Sequence, residues 1–580
     1  LTPVEDENGT IVGLEAAMPE YGEDFLPNFR PGDLVMLYER NTENDLAINK
    51  QIFRCQIEEM GATNIRLKLS FKQRNKRVFH TESRYALEPG YMDATFTQGY
   101  KGLFELLQAP KQRKDLILGL RLPKRDEQVT CNGHYTNQDI DHIVTLAKQA
   151  KDYFLLVGPP GTGKTSVALR SMVLEFLSET PRKNLLLMAY TNRAVDEICK
   201  MLDDLTVDYA RIGQELSCEK EYRKRLLKNI IAPATNRKQI FDLLEPIQIV
   251  VGTISSIAGK TELFQLKRFD VALIDEASQV LEPQLLPLLC ATSSLPTADF
   301  HADPCAITKF ILIGDHKQLP AVVVQPNELS EVHDEQLHDI GLTNCRNSLF
   351  ERLHHLQIQK GTTGFVALLN KQGRMHETLS DFVNRLYYNK QLQVVPLPHQ
   401  LGQTDFPCCD EADQWTRFVA HCRMGFIPIT KTGTNDNNKV NRDEAQKAAE
   451  LVKTLYQRYL ENHMEWDAGQ HIGIIVPFRG QIAMTRKMLN ETGIPDYSGI
   501  TIDTVERYQG SQRDTIIYCT TISQKYQMDM LSTPVETDGI CIDRKLNVAL
   551  TRARKQFFLI GNPLLLRQAE DYRKLLDYIQ

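Results

Sequence analysis

The stretch 153–166, YFLLVGPPGTGKTS, decides the fold class of this 580-residue chain. Its apolar start predicts a buried strand, and Gly158 to Thr165 match the pattern G-x-x-x-x-G-K-[ST]. Glycines at these places let backbone N–H groups wrap phosphates at the start of a helix. Lys164 is expected to supply positive charge to the β- and γ-phosphates, and Thr165 a hydroxyl to Mg²⁺. The expected nucleotide contacts in this P-loop are Gly158, Pro159, Pro160, Gly161, Thr162, Gly163, Lys164, Thr165 and Ser166.

A second apolar run, VALIDEAS at 271–278, carries two carboxylates to the end of another predicted strand. Asp275 is expected to hold Mg²⁺ through water, and Glu276 to polarise the water that attacks the γ-phosphate. A kinase would not need this adjacent carboxylate, because its nucleophile is a substrate hydroxyl. The alternative is that Glu276 is only an acidic residue at a helix start. The P-loop in the same chain makes this alternative less probable. The pair therefore favours hydrolysis.

Buried-strand runs alternate with helical stretches on both sides of these motifs, for example NLLLMAY, IQIVVGT, HIGIIVPF and QFFLIGN. Such alternation is typical of α/β folds in which helices cross over a parallel sheet. We place a β-rich accessory segment with stalk-like helices at 1–125, a first α/β domain at 126–364 and a second at 365–580. A charged helical insert is expected at about 200–246, and a loop-rich surface insertion at 396–442.

Composition excludes several classes of protein. Apolar residues make up 42% and charged residues 24%, which is ordinary for globular chains. The net charge is −6, so nucleic acid would bind along a local groove rather than over a generally basic surface. No run is long and apolar enough for a membrane span, and no signal peptide is recognisable. The 12 Cys include no C-x-x-C, which argues against a cysteine-ligated zinc or iron–sulfur site and for a reducing, intracellular location.

Four further motifs follow in order. They are FILIGDHKQLPAVV at 310–323, LNKQGRMHETLSDF at 369–382, TIDTVERYQGSQRDTII at 501–517 and KLNVALTRARKQFFLIGN at 545–562. With the P-loop and VALIDEAS, this set resembles superfamily 1 helicases. The similarity is strongest to the branch that contains the nonsense-mediated-decay RNA helicase and the helicase region of the DNA-replication helicase–nuclease. It covers about 130–562.

This resemblance implies two tandem RecA-like P-loop domains with ATP and Mg²⁺ between them, an N-terminal β-barrel-like accessory domain and a helical insertion. It implies that Gln138 reads the adenine edge and that Gln318 senses the γ-phosphate. Arg374 and Arg552 are expected to be arginine fingers, and Arg554 a supporting residue. The expected catalytic residues are Lys164, Glu276, Gln318, Arg374 and Arg552, and the expected metal ligands are Thr165 and Asp275.

The resemblance also implies that both lobes hold one nucleic-acid strand. The candidate contacts are Thr191, Asn192, Thr253, Pro477, Phe478, Gln481 and Thr504. Hydroxyl and amide groups suit phosphates without reading bases, which predicts salt-sensitive, sequence-independent binding. Phe478 could stack on a base or pack between the lobes. Two departures stand out. Gln512 replaces an acid found in many relatives, so an acid-dependent contact is not expected, although an amide can still bond a ribose. Gly373 replaces an aromatic residue that could stack on a base, so looser nucleotide selectivity is expected.

These features predict an ATP-driven translocase and helicase on single strands, and the family resemblance implies that its direction is 5′→3′. The motifs do not specify recognition of the 2′-OH, although DNA is somewhat favoured over RNA. The alternative is a nucleotide-switched clamp or remodelling ATPase without processive unwinding, and the two-lobe motif set disfavours a metabolic P-loop kinase. The expected partner is single-stranded DNA or RNA. A nuclease, where one acts with this protein, is expected upstream or on a partner, and the chain is expected to be a monomer without a membrane anchor.

Overall fold

The structure is a computed structural model. It describes residues 1–18, 29, 32–60, 64–90, 94–295, 304–323, 325–362, 364–402, 406, 412–429 and 439–579. The chain divides into two compact units, Leu1–Thr97 and Gln98–Gln580. No described helix is both long enough and apolar enough to cross a membrane.

The first unit is built on a six-stranded antiparallel sheet with the order β1-β2-β5-β4-β3-β6. Its strands are β1 (Thr2–Glu5), β2 (Ile11–Ala17), β3 (Leu34–Glu39), β4 (Phe53–Met60), β5 (Asn64–Gln73) and β6 (Tyr85–Pro89). Alternation along β5 places Ile65, Leu67 and Leu69 in the core and polar residues outside. The segment predicted to be β-rich thus contains six strands, and closure into a barrel stays a prediction.

Two helices link this sheet to the rest of the chain, α1 (Ala94–Gln108) and α2 (Lys111–Ile117). Ala109, Leu116 and Ile117 belong to the core of the second unit. The division between the units lies at Thr97, inside α1, whereas the sequence led us to expect it at 125. The helix α2 thus belongs to the second unit, to whose core it contributes Leu116 and Ile117.

The first lobe of the second unit is a seven-stranded parallel sheet with the order β13-β7-β12-β11-β8-β10-β9. Its strands are β7 (Tyr153–Val157), β8 (Leu185–Ala189), β9 (Tyr209–Ile212), β10 (Ile249–Thr253), β11 (Phe269–Asp275), β12 (Ile307–Gly314) and β13 (Val366–Leu368). Its helices are α3 (Gln138–Gln149), α4 (Arg170–Leu177) after a π-helical segment Lys164–Leu169, α5 (Asn192–Asp204), α6 (Leu227–Ile230), α7 (Arg237–Leu244), α8 (Ile254–Ala258), α9 (Glu282–Leu289), α10 (Glu335–Asp339) and α11 (Leu349–Gln359). Helices cover both faces, so Leu155 and Leu156 enter different apolar cores and the strands lack polar alternation.

Two short strands correct the predicted boundaries of this lobe. The segment 200–246, predicted as a helical insert, contains the buried edge strand β9 as well as short helices. The strand β13 lies beyond the predicted boundary at 364, yet it pairs with β7 in the register Leu368↔Val157. Both strands have four residues or fewer, so their pattern is too brief to stand out from the charged sequence around them.

The second lobe is a five-stranded parallel sheet with the order β16-β22-β19-β17-β18, and it also carries two small two-stranded sheets, β14-β15 and β20-β21. Its strands are β14 (Lys371–Gln372), β15 (Gln393–Val394), β16 (Met424–Pro428), β17 (Ile472–Ile475), β18 (Thr501–Asp503), β19 (Arg513–Cys519), β20 (Pro534–Thr537), β21 (Ile540–Asp543) and β22 (Ala553–Gly561). Its helices are α12 (Glu377–Tyr387), α13 (Gln414–His421), α14 (Arg442–Glu461), α15 (Ala468–His471), α16 (Arg479–Asn490), α17 (Val505–Tyr508), α18 (Met528–Leu531), α19 (Arg544–Thr551), α20 (Pro563–Leu566) and α21 (Glu570–Ile579). Short 3₁₀ segments are Lys76–Val78, Glu215–Ser217, Lys220–Arg225, Thr261–Gln265, Ala277–Gln279, Tyr497–Gly499 and Lys525–Gln527.

The stretch 396–442, predicted as a loop-rich insertion, is only partly a loop. It contains α13 and the edge strand β16, while 403–405, 407–411 and 430–438 lie outside the described residues. The two parallel α/β lobes fit the expected pair of RecA-like domains.

Candidate active site

The P-loop joins β7 to the helical segment that begins at Lys164. Gly161 and Gly163 have φ angles of +75° and +78°, a region that glycine occupies without strain. A Cβ atom at Gly161 would lie 2.5 Å from the Cβ of Arg374, so the second lobe closes directly over the loop. The Nζ of Lys164 donates to the carbonyl of Gly158 at 2.8 Å. A phosphate in the loop would compete with this carbonyl for the ammonium group.

Thr165 and Asp275 provide two adjacent oxygens at the ends of neighbouring elements. The Thr165 hydroxyl donates to Oδ2 of Asp275 at 2.6 Å, and Oδ1 of Asp275 accepts the N–H of Glu276 at 2.8 Å. Burial, together with the charge of Glu276, raises the pKa of Asp275 to about 6. A hydroxyl beside a carboxylate is the donor set that Mg²⁺ prefers, so the two residues predicted as metal ligands fit this ion.

Glu276 follows β11 with φ of +53°, in the left-handed region that non-glycine residues rarely occupy. Such conformations cluster at functional sites. Its Oε2 accepts a hydrogen bond from Nε2 of Gln279 at 2.9 Å, and the residue lines the cleft between the lobes. The carboxylate is therefore oriented by a neighbouring amide in the position expected of a general base.

A hydrogen bond crosses the lobes at the loop that follows β12. Nη2 of Arg552 donates to Oε1 of Gln318 at 2.8 Å, and Nε2 of Gln318 donates to Oδ2 of Asp315 at 2.9 Å. Arg552 and Gln318 are only 2% and 3% exposed. Burial, reinforced by the charge of Arg374, lowers the pKa of Arg552 to about 9. The predicted γ-phosphate sensor and one predicted finger are thus in direct contact.

Arg374 approaches the P-loop from the second lobe. Its Nη1 donates to the carbonyl of Thr551 at 3.2 Å, while its buried Nε has no hydrogen-bond partner in the described part of the chain. The N–H of Gly373 donates to the carbonyl of Gly161 at 2.9 Å, and burial lowers the pKa of Arg374 to about 10. This guanidinium therefore keeps donor capacity beside the loop that is expected to hold phosphates.

The five residues predicted to be catalytic all line one cleft of about 770 Å³ between the lobes. Gln138 does not line it, although its neighbours Asn137 and Asp139 do. The Asn137 side chain instead accepts hydrogen bonds from backbone N–H groups and caps α3, which leaves Gln138 exposed at the first helical position. Its role as the adenine contact stays a prediction.

The sequence did not reveal a second buried link between the lobes. The hydroxyl of Tyr388 donates to Oδ2 of Asp315 at 2.7 Å, and Nδ2 of Asn547 donates to the Lys317 carbonyl at 2.7 Å. Asn547 also donates to the Tyr388 hydroxyl at 3.1 Å. Tyr388 lies outside every quoted motif, so no spacing marks it. Glu197 also lines the cleft.

Four candidates for strand contact lie where parallel strands end. Thr191 follows β8 and caps α5 by accepting the N–H of Ala194 at 3.2 Å, and Thr253 ends β10. In the second lobe, Pro477 follows β17 and Thr504 follows β18. Asn192, the first residue of α5, is exposed like Thr191. Thr253 is 7% exposed, and its hydroxyl donates to Oγ of Ser256 at 2.7 Å.

Two other candidates are engaged inside the second lobe. Phe478 is only 7% exposed, which agrees with the packing alternative rather than with a free stacking surface. Gln481 is fully buried, and its amide bonds both the N–H and the carbonyl of Asn441 at 2.7 and 2.8 Å. The expected contact between Gln481 and a strand stays a prediction, and it would compete with the bonds that this amide makes to Asn441.

Comparison with known proteins identifies the domain family of this chain and several relatives. Models of the AAA domain match residues 135–241, 217–326 and 345–564, which together cover more than half of the chain. A DNA replication ATP-dependent helicase/nuclease of Arabidopsis thaliana is 26% identical over 456 residues, covering 77% of this chain and 30% of the relative. An uncharacterized ATP-dependent helicase of Methanocaldococcus jannaschii is 24% identical over 579 residues, covering 84% and 77%.

A regulator of nonsense transcripts 1 homolog of Neurospora crassa is 26% identical over 468 residues, covering 73% of this chain and 37% of the relative. The matched region thus spans only about a third of the Arabidopsis and Neurospora proteins. The domain matches, these relatives and the ordered motifs in one interlobe cleft show that the chain belongs to the superfamily 1 helicases.

Proposed function

We propose that this chain couples ATP hydrolysis to 5′→3′ movement along a single nucleic-acid strand, with DNA somewhat preferred over RNA, and that it thereby unwinds duplexes. The observation that carries the proposal is the hydrogen bond from Arg552 of the second lobe to Gln318 of the first. Because the hydrolytic residues come from both lobes, the chemistry of the cleft is coupled to lobe movement.

The residues of the cleft divide the work of hydrolysis among them. The P-loop would bind the phosphates of ATP, and Mg²⁺ held by Thr165 and Asp275 would neutralise part of their charge. Glu276 would take a proton from the attacking water, whose oxygen bonds to the γ-phosphorus while the β–γ bridging oxygen leaves with ADP. Arg374 and Arg552 would donate to the charge that develops on the transferring group.

Release of the γ-phosphate would remove the group that both lobes bind, so the cleft would open again. Strand order supports a path for nucleic acid: β8 and β10 are neighbours in the first sheet, and β17 and β18 are neighbours in the second. The carboxyl ends of parallel strands share one edge. Hydroxyls at these ends suit phosphate contacts that read no sequence.

The second candidate is a nucleotide-switched clamp or remodelling ATPase that does not unwind processively. The burial of Phe478 favours it, because a motor that lacks a free stacking aromatic at this position holds bases less firmly. We further propose that the chain acts as an intracellular monomer, since it supplies both halves of the cleft itself. Any nuclease would be another segment or a partner.

The deciding experiment measures the ATPase rate without nucleic acid, with single-stranded DNA and with single-stranded RNA, beside Lys164→Ala as the inactive control. Unwinding is then measured on duplexes with a 5′ or a 3′ single-stranded tail. Stimulation by a single strand together with unwinding of the 5′-tailed duplex would support the motor. Stimulation without unwinding would favour the clamp. A Lys164-dependent rate indifferent to both nucleic acids would contradict the motor and favour a nucleotide switch gated by a partner.

A further inference from the structure

A cluster of two histidines and one aspartate joins the two lobes, and none of the three residues lines the ATP cleft. His316 lies in the loop after β12, His354 lies on α11, and Asp538 lies in the turn between β20 and β21. One potential ligand atom of each side chain lies within 4.8 Å of the other two. Nε2 of His316 is 2.6 Å from Oδ2 of Asp538, and the two imidazole centroids are 4.5 Å apart.

Both imidazoles are buried and incompletely bonded. His316 and His354 are 3% and 6% exposed, and the Nδ1 atom of each has no hydrogen-bond partner among the described residues. An unpaired buried polar atom is costly, so such atoms call for a ligand.

Two cationic or potentially cationic groups also face the aspartate. Nζ of Lys317 lies 3.4 Å from Oδ2 of Asp538, and Nε2 of His355 lies 3.4 Å from its Oδ1. Asp538 itself has φ of +53° in its tight turn. Lys317 competes with a metal ion for the same carboxylate oxygen, and its removal should therefore strengthen metal binding.

We propose that His316, His354 and Asp538 form a binding site for a divalent transition-metal ion of the zinc class. Two imidazoles and one carboxylate are a common ligand set for Zn²⁺, with a fourth position left for another ligand. The site uses no cysteine, which is why cysteine spacing gives no sign of it. Only small adjustments are required, because the potential ligand atoms already lie close together.

A bound ion would fasten the lobes together near the catalytic contact. His354 belongs to a helix of the first-lobe core, whereas Asp538 belongs to the second lobe. His316 precedes Gln318 by two residues, and Gln318 receives the hydrogen bond from Arg552. We therefore expect the metal to favour the closed cleft and to raise the melting temperature of the nucleotide-free protein.

The test uses the full chain after removal of metals with EDTA, and no nucleotide or nucleic acid. Zn²⁺ is titrated against a chromophoric chelator, and Co²⁺ is added separately as a spectroscopic probe. We expect one high-affinity ion per chain and cobalt d–d bands without thiolate charge-transfer bands. His354→Gln and Asp538→Asn should each weaken Zn²⁺ binding by more than about tenfold. Lys317→Gln should tighten it, and His333→Gln, at an exposed histidine outside the cluster, should leave it unchanged.

Several outcomes would overturn the proposal. The first is that the protein binds less than one Zn²⁺ per chain. The second is that thiolate bands occur in the cobalt spectrum. The third is that Asp538→Asn binds Zn²⁺ with the same affinity as the unmodified protein. If the buried His354→Gln variant does not fold, the Asp538→Asn variant decides alone, because Asp538 lies in an exposed turn. Failure here leaves the proposed motor function untouched, since no ATP is hydrolysed in the measurement.

Discussion

Replacing Arg552 with lysine keeps a positive charge but removes the planar guanidinium that spans the lobes. Arg552 donates through Nη2 to Gln318 at 2.8 Å, through Nε to the Val548 carbonyl at 3.2 Å and through Nη1 to the Ser511 carbonyl at 3.4 Å. A lysine ammonium cannot reproduce this planar fork of donors. The variant therefore loses the cross-lobe contact even if the helix around it stays in place.

The expected loss of rate follows from the role of a finger. Arginine fingers contribute roughly 10³–10⁵ to the rate, which corresponds to about 4–7 kcal/mol at about 1.4 kcal/mol per factor of ten. We expect kcat of Arg552→Lys to fall by at least about 10³ while ATP binding persists. One buried acceptor left unpaired should also lower the free energy of unfolding by about 1–3 kcal/mol.

Arg567→Lys is the matched control, because Arg567 lies in the same lobe but does not line the cleft. It forms an ion pair with Asp577 at 2.6 Å and its side chain is 36% exposed, so an ammonium can replace it at a cost of about 0–1 kcal/mol. Single-turnover ATPase kinetics and chemical denaturation, measured on both variants, separate rate from stability. A kcat for Arg552→Lys within tenfold of the unmodified enzyme, or an equal loss in both variants, would refute the assignment of the finger.

Three further predictions concern the same cleft. Glu276→Gln should lower kcat by about 10²–10⁴ with nearly unchanged binding of a fluorescent ATP analogue, and a comparable loss of binding would contradict its role as base. The pKa of Asp275 is about 6, so its carboxylate becomes protonated as the pH falls through this value. The apparent Mg²⁺ affinity, measured in the ATPase assay, should therefore decrease below pH 6 and stay level above it. Gly161→Ala should destabilise the protein by about 1–2 kcal/mol through its φ of +75° and should also abolish turnover, since the new Cβ displaces Arg374. Gly493→Ala shares a φ of +71° but meets nothing within 4 Å, so it should lose a similar stability and keep its turnover, which assays of both variants would check.

The parts of the fold and site that the sequence predicted are those with long or dense patterns. The glycines around Lys164 and the apolar strand before them predicted a P-loop and excluded most other folds. A similar apolar run before Asp275 predicted that this carboxylate lies at the end of a buried strand. The edge strands β9 and β13 were missed because their short segments gain their strand character from pairing with a neighbour. Tyr388 was missed because its contact with Asp315 joins distant parts of the chain. The burial of Phe478 depends on packing that no local pattern records.

The pairing of β13 with β7 limits the distance that Arg374 of the second lobe can move from the P-loop. Leu368 pairs in register with Val157, immediately before the P-loop, and Arg374 follows six residues later. Six residues span at most about 20 Å when fully extended. Arg374 is thus tethered to the loop that it serves, and its effective concentration there stays at least in the millimolar range however wide the lobes open. When the cleft closes, Arg374 therefore moves only a short distance back to the P-loop. Arg552 has no such link, so its distance from Gln318 depends directly on how far the lobes have separated.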